Sequence, residues 1–173
     1  MAARPMRACP GHLHDWAARM TPPLDDIDRL MAVMAAAFDP IFGEAWTRRQ
    51  VEDALMIGNC HYRLIGTSGD VPEPGAPAAG FFLSRHGFEE EELLLFAVDP
   101  AWRRRGLGLA LLGQFAQSAR DRGARRLLLE MRQGNEAEAL YRRFGFVPIG
   151  KRPNYYRGRD GETMDAITFA CDI

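Results

Sequence analysis

The sequence predicts an α/β domain built on one mixed sheet, and three observations carry that prediction. Two short apolar runs, Leu93–Val98 and Leu127–Met131, read as buried strands. The stretch between them repeats its apolar residues at helical spacing (Leu107, Leu111, Leu112, Phe115, Ala119). A helix joining two strands in this way makes a right-handed parallel crossover. The chain has 173 residues, 47% hydrophobic and 26% charged, enough for one full core. It shows no internal repeat and no second domain.

The elements follow in order. Residues 1–14 read as a loose extension and 15–173 as the domain. Trp16–Met20 is a possible first strand. Asp25–Phe38 reads as a helix, with Ile27, Leu30, Met31, Met34 and Phe38 on one face. Thr47–Leu55 is a second helix, opened by a Thr47/Gln50 capping box. His61–Ile65 and Ala79–Arg85 are strands on either side of a Gly/Pro-rich loop. Glu89–Glu92 reads as a solvated acidic turn before the Leu93 strand. Arg122-Gly123 ends the central helix. Asn135 is placed to cap a short helix running to Phe144. Gly145–Ile149 is a strand whose proline puts it near an edge or a bulge. Asn154–Gly161 reads as a loop, and Thr163–Cys171 closes the sheet, which then holds about seven strands.

Composition narrows the partners. A formal net charge of −1 gives no global field toward nucleic acid or membrane. Three widely spaced cysteines (Cys9, Cys60, Cys171) form no disulfide framework, which suits a reducing cytoplasm. Cys9, His12 and His14 lie close in sequence, but no rigid frame or fourth ligand accompanies them, so no metal is expected. The N-terminus has charge without an apolar segment, unlike a signal peptide.

The most specific signal is Val98-Asp-Pro-Ala-Trp-Arg-Arg-Arg-Gly-Leu-Gly108. A strand end, a glycine turn and a helix start bring several free N–H groups and the positive helix end to one point. That is a phosphate or pyrophosphate site. Gly106 and Gly108 would let the backbone close on the anion, and an arginine among 103–105 could reach its oxygens. The pattern is not a P-loop, because no Gly-Lys-Ser/Thr follows. Nor is it the dinucleotide fingerprint, since Leu111 stands at the third glycine position. The plain alternative is a strand-to-helix turn with solvated arginines.

These residues resemble the pyrophosphate motif of the GNAT superfamily of acyl-CoA-dependent N-acetyltransferases. Leu129-Glu-Met-Arg132, Asn135, Ala139-Leu-Tyr-x-x-x-Gly-Phe146, Asn154-Tyr-Tyr156 and Asp165-Ala166 resemble the bacterial RimI-type enzymes within it. These acetylate the N-terminal amine of a small-subunit ribosomal protein. The resemblance implies a GNAT-like sheet splayed between residues 93–98 and 127–131, with acetyl-CoA as co-substrate. Phe96, Ala97, Val98, Arg103, Arg104, Arg105, Gly106, Leu107, Gly108 and Asn135 would hold it. Glu130 would be the general base and Tyr141 the general acid. Glu44, Trp46, Asn154, Tyr155, Tyr156 and Asp165 would line the acceptor side. The partner would be the N-terminal peptide of a ribosomal protein, with no nucleic acid or membrane involved. One spacing departs from the family: Tyr141 stands six residues after Asn135 rather than seven. The fixed distance to Gly145-Phe146 keeps Tyr141 in register and puts the missing residue at the helix start.

The chemistry is compatible with an N-terminal acceptor. An α-amine has a pKa of about 7.7–8.0 and a lysine about 10.4, so at pH 7 roughly 10–15% of the former is neutral against well under 0.1% of the latter. One carboxylate, directly or through water, suffices for such an amine. Each residue also has a structural alternative. Glu130 could sit in a surface salt bridge, Tyr141 in the core, Asn154–Tyr156 in an ordinary aromatic loop, and Asp165 against an arginine. Other functions left open are acetylation of a small amine or a lysine, and a non-catalytic acyl-CoA sensor.

Overall fold

The computed structural model describes residues 25–158 and 161–173. The extension over 1–14 with its Cys9/His12/His14 group, and the Trp16–Met20 strand, lie outside the described residues.

Helix α1 (Asp26–Ala37) begins at a capping box in which Asp25 accepts the Asp28 N–H and Asp28 returns the bond. Helix α2 (Arg48–Met56) has the Thr47/Gln50 box read from the sequence. Strands β1 (Cys60–Ile65), β2 (Gly80–His86) and β3 (Glu90–Val98) form an antiparallel meander. Helix α3 (Leu107–Asp121) crosses over to β4 (Arg126–Arg132), which pairs with β3 in parallel. Helix α4 (Glu138–Phe144), β5 (Val147–Arg157) and β6 (Thr163–Asp172) complete the chain, and the sheet order is β1-β2-β3-β4-β6-β5. The sheet thus has six strands among the described residues rather than about seven.

Two cores cover the two faces of the sheet. Against α3 and α4 lie Leu111, Leu112, Phe115, Leu127, Leu129, Met131 and Phe169. Against α1 and α2 lie Leu30, Val33, Met34, Val51, Phe81, Leu83, Leu95 and Ala97. Both faces of β3 are therefore occupied, which is why Leu93–Val98 reads as a continuous apolar run.

A bulge in β3 positions the site. Leu83 pairs with Leu95 and Ser84 with Leu93, so Leu94 is the extra residue. Leu93 faces the α3 core, Leu94 and Leu95 both face the α1/α2 core, and Phe96 and Val98 return to the α3 side. Pairing between β3 and β4 runs only from Glu90↔Arg126 to Leu93↔Leu129. Parallel contact ends where the bulge begins. Beyond it the strands splay, as the resemblance implies, and backbone groups of Leu94–Val98 on that side lack a partner strand among the described residues.

Two sequence expectations are corrected. The acidic stretch is not a solvated turn: β3 starts at Glu90, and Glu91 is completely buried. Its carboxylate accepts bonds from Ser84 Oγ at 2.5 Å, Arg122 Nε at 3.0 Å and Arg122 Nη2. The partner that permits this burial lies 31 residues away, so local charge density misled. Nor is Asn154–Gly161 wholly a loop, because β5 continues to Arg157 as an edge strand. A second irregularity between Arg152 and Tyr156 absorbs the polar residues that look like a break. The proline-marked start of β5 does carry a bulge, at Pro148/Gly150.

Candidate active site

The glycine turn has the geometry of an anion cradle. Gly106 takes φ 82° and ψ −7° as N-cap of α3, with no side-chain cap bond. The first intrahelical bond is from Ala110 N–H to Gly106 C=O at 3.0 Å, so the N–H groups of 106–109 remain free of it. A Cβ on Gly106 would meet nothing within 4 Å, so the turn opens outward. Gly108 has another reason to be glycine: a Cβ there would stand 3.0 Å from Leu140 Cδ2. Its missing side chain lets α3 pack closely on α4.

The three arginines divide their work. Arg103 donates to Val98 C=O at 3.1 Å and Ala37 C=O at 3.4 Å, tying the turn to the end of α1. Arg105 stacks on Trp102 at 4.6 Å. Arg104, at φ 63°, has no side-chain partner among the described residues.

Two groups of residues lie past the end of the β3–β4 pairing, one on each face of the sheet. On the α3/α4 side, Tyr141 is 7% exposed, with its ring 5.9 Å from those of Phe96 and Phe146. Its hydroxyl makes no hydrogen bond among the described residues. Burial, then the charge of Glu44, push its phenol far above the usual range. Gly145 and Phe146 N–H both bond to Tyr141 C=O, at 3.2 and 3.0 Å, which fixes its direction from the C-terminal side. Asn135 Oδ1 accepts from Ala137 N–H at 2.9 Å and closes the turn before α4.

On the α1/α2 side, β4 alternation sends Leu127, Leu129 and Met131 into the α3 core and Glu130 and Arg132 the other way. Arg152 holds both Glu130 oxygens, with Nε at 2.9 Å from Oε2 and Nη2 on Oε1. Thr168 Oγ1 adds a bond at 3.3 Å. Arg132 faces Glu44 at 3.4 Å and lies 3.5 Å over the Phe42 ring. Both partners are mostly buried, and desolvation raises the Glu44 carboxyl above its ordinary value despite Arg132. Tyr156 is pushed up to about 12, first by burial and then by Glu130 and Glu44. These influences put Tyr156 and both carboxylates in one neighbourhood. Arg152 also stacks on Tyr155 at 3.5 Å.

Other sequence candidates fall elsewhere. The backbone N–H of Trp46 donates to Met34 Sδ at 3.1 Å, and its ring packs on the α1/α2 core beside a groove of about 420 Å³. Asn154, at φ 53°, gives its N–H to Asp165 at 2.9 Å and accepts from Thr163 Oγ1 at 2.9 Å. Asp165 pairs with Lys151 at 2.6 Å rather than with an arginine. Asn154 and Asp165 thus pin the β5 irregularity that presents Arg152, Tyr155 and Tyr156. The sequence reading missed Arg132, Arg152 and Thr168. Only Arg132 carries a local signal, at two residues from Glu130 on the same strand face.

A cradle at the head of α3, opening onto a gap between splayed parallel strands, is the architecture of an acetyl-CoA-dependent acetyltransferase. The chain belongs to the acetyltransferase (GNAT) family, whose model matches residues 31–146. It is 41% identical over 96 residues to the [ribosomal protein bS18]-alanine N-acetyltransferase of Escherichia coli (strain K12), covering 55% of this chain and 64% of that one. A Bacillus subtilis (strain 168) protein provisionally given the same name is 30% identical over 145 residues, 82% of this chain and 89% of that one. Against the Haemophilus influenzae enzyme of that name the match spans 63% of its length at 33% identity. The crystal structure of the E. coli ribosomal-protein-S18-alanine N-acetyltransferase superposes with a TM-score of 0.64 at 28% identity, covering 88% of this chain and 92% of that one. The fold is also that of Arabidopsis thaliana NAA60 in complex with a bisubstrate analogue (TM-score 0.69, 17% identity, 88% and 96% covered).

Proposed function

We propose that this protein is a cytoplasmic N-α-acetyltransferase that acetylates the N-terminal amine of a ribosomal protein, with residues 15–173 as the catalytic unit. What supports the reading is the end of β3–β4 pairing at Leu93↔Leu129, with Tyr141 against Phe96 on one face of the sheet, Glu130 directed to the other, and the free amides of α3 on the Tyr141 side. The names of its relatives support the acceptor class.

The residues fit acetyl-CoA. Gly106 is open to solvent, the α3 amides have no intrahelical partner, and Arg104 is free among the described residues. The amides of 106–109 and Arg104 grip the diphosphate. Bound there, acetyl-CoA supplies an activated acetyl group on sulfur. Phe96, Ala97 and Val98 line its approach along the unpaired edge of β3, and Asn135 flanks the arm. An N–H of that edge donates to the negative charge developing on the acyl oxygen, an effect of ~3 kcal/mol for a preorganised donor.

The acceptor enters on the other face, between Glu44, Arg132, Glu130 and the Tyr155–Tyr156 pair. Glu130 receives the proton of the amine, directly or through one water. Tyr141 donates a hydrogen bond to the departing sulfur. Its raised pKa keeps the phenol protonated, so stabilisation by hydrogen bonding outweighs complete proton transfer. Transfer is direct, without an acyl-enzyme.

Mass spectrometry of an Ala-initiated peptide incubated with acetyl-CoA and the protein tests the reading. One acetyl group on the α-amine is expected. Modification confined to lysine, or to small amines, would replace the acceptor class. Acetyl-CoA binding without thiol release across a broad amine panel would mean a sensor.

A further inference from the structure

The Glu130 carboxylate is not free to receive an amine. Arg152 spans both its oxygens and Thr168 occupies one of them again. The two partners differ in how firmly they are placed. Thr168 stands directly opposite Glu130 on the paired strand β6, and a hydroxyl can rotate to serve as donor or acceptor. The Arg152 side chain is 51% exposed, on the edge strand β5, beside the irregularity between Arg152 and Tyr156. Its other contact is the face of Tyr155, itself 52% exposed. Glu130 and Tyr155 are its only side-chain partners among the described residues.

We propose that Arg152 is a displaceable cap on Glu130: its guanidinium occupies the carboxylate in the free enzyme, and the protonated amine of the acceptor takes its place. The inference rests on the acceptor reading given above. The exchange conserves charge, since one cation replaces another at a single carboxylate and no buried charge is left unpaired. Arg152 swings toward solvent along the Tyr155 ring, where a guanidinium remains favourable. The amine then sits where Glu130 can take its proton. A neutral or blocked N-terminus brings no cation to drive the exchange, so the cap is a specificity device. It selects for a protonated amine before chemistry begins. Arg152 is on this view a positioning residue that acts through Glu130.

Steady-state kinetics on the wild-type protein, Arg152→Gln and Arg152→Lys, with an Ala-initiated peptide, test the proposal. An exposed ion pair of this kind contributes little, so removing the competitor lowers the peptide KM by roughly three- to fivefold. The change appears in KM rather than kcat, and KM for acetyl-CoA does not follow it. Arg152→Lys retains a cation without the bidentate fork, and its KM falls between the other two. Calorimetric titration of the same peptide into CoA-saturated protein reproduces the order in Kd, and an N-terminally acetylated peptide shows no such order. A peptide KM that is unchanged or higher in Arg152→Gln, or a defect confined to kcat, overturns the cap and makes Arg152 a fixed support. If the wild-type protein modifies lysine or a small amine instead, the acceptor class is wrong. The KM comparison with that amine then still decides the cap.

Discussion

Replacing Gly106 and Gly108 in turn separates a ligand cradle from a packing contact. Gly106 adopts a left-handed conformation, which costs an alanine about 1–2 kcal/mol. Its Cβ would clash with nothing, so the stability loss stops there. For a domain of this size, 1 kcal/mol is a Tm shift of about 2–4 °C. The effect on the cofactor is larger. A backbone that relaxes from the left-handed region misaims the first amides of α3, and each hydrogen bond to a charged group contributes about 1.5–3 kcal/mol. One lost bond therefore weakens acetyl-CoA binding by roughly 10- to 100-fold. Gly108→Ala behaves oppositely. The new methyl presses on Leu140 Cδ2 at 3.0 Å, an overpacking cost of about 1–3 kcal/mol, offset by about 1 kcal/mol of helix propensity. Its affinity for acetyl-CoA changes by less than about threefold, below 1 kcal/mol. Thermal melts followed by circular dichroism and calorimetric Kd values on both variants give the comparison. A Gly106→Ala protein that binds acetyl-CoA within a factor of about two of wild type refutes the cradle.

Four further outcomes are expected. Glu130→Gln and Tyr141→Phe each lower kcat by more than about tenfold, read by thiol release, and wild-type rates in both would remove their roles. Above about 7.7–8.0 the free α-amine loses the charge that displaces Arg152 and kcat/KM for the peptide falls, whereas kcat at saturating peptide follows the bound complex. That kcat shows no loss through Tyr141 up to pH 10, because burial holds that phenol protonated; an alkaline limb absent from Tyr141→Phe would contradict this. Glu44 has a raised folded-state pKa, so the folded protein binds more protons than the unfolded chain between the two values, and stability falls as pH rises through them. Glu44→Gln therefore raises Tm at pH 7, and the gain disappears below about pH 4, where both states are protonated. Glu91→Ala strands Arg122 beside a fully buried site and destabilises by about 3–5 kcal/mol in urea titrations, with little effect on the KM for acetyl-CoA.

Much of the fold was legible because periodicity and local chemistry agree. The Thr47/Gln50 box, the apolar face of α3, its stop at Gly123 and the parallel crossover all follow from residues close in sequence. Failures occur where a distant partner decides. Glu91 looks solvated until Arg122 is placed on it, and Asn154–Arg157 looks like a loop until Asp165 holds it in β5. The candidate site divides the same way. The glycine turn, Glu130 and Tyr141 could be proposed as site residues because each sits in a local motif. Arg152 could not, because its reach to Glu130 depends on the β5/β6 register, which two irregularities shift. Gly108 shows a subtler limit, since its place in the motif is correct but its neighbour is a leucine.

Leu94 makes the width of the gap a matter of residue count. Deleting it would restore simple alternation along the strand, so Leu95 to Val98 would each exchange one helical layer for the other. Phe96 would leave Tyr141, the valine methyls would leave the foot of α3, and β3 could zip onward against β4. A single-codon deletion there would thus shut the passage between the cofactor side and the acceptor side while leaving every proposed catalytic side chain in the chain.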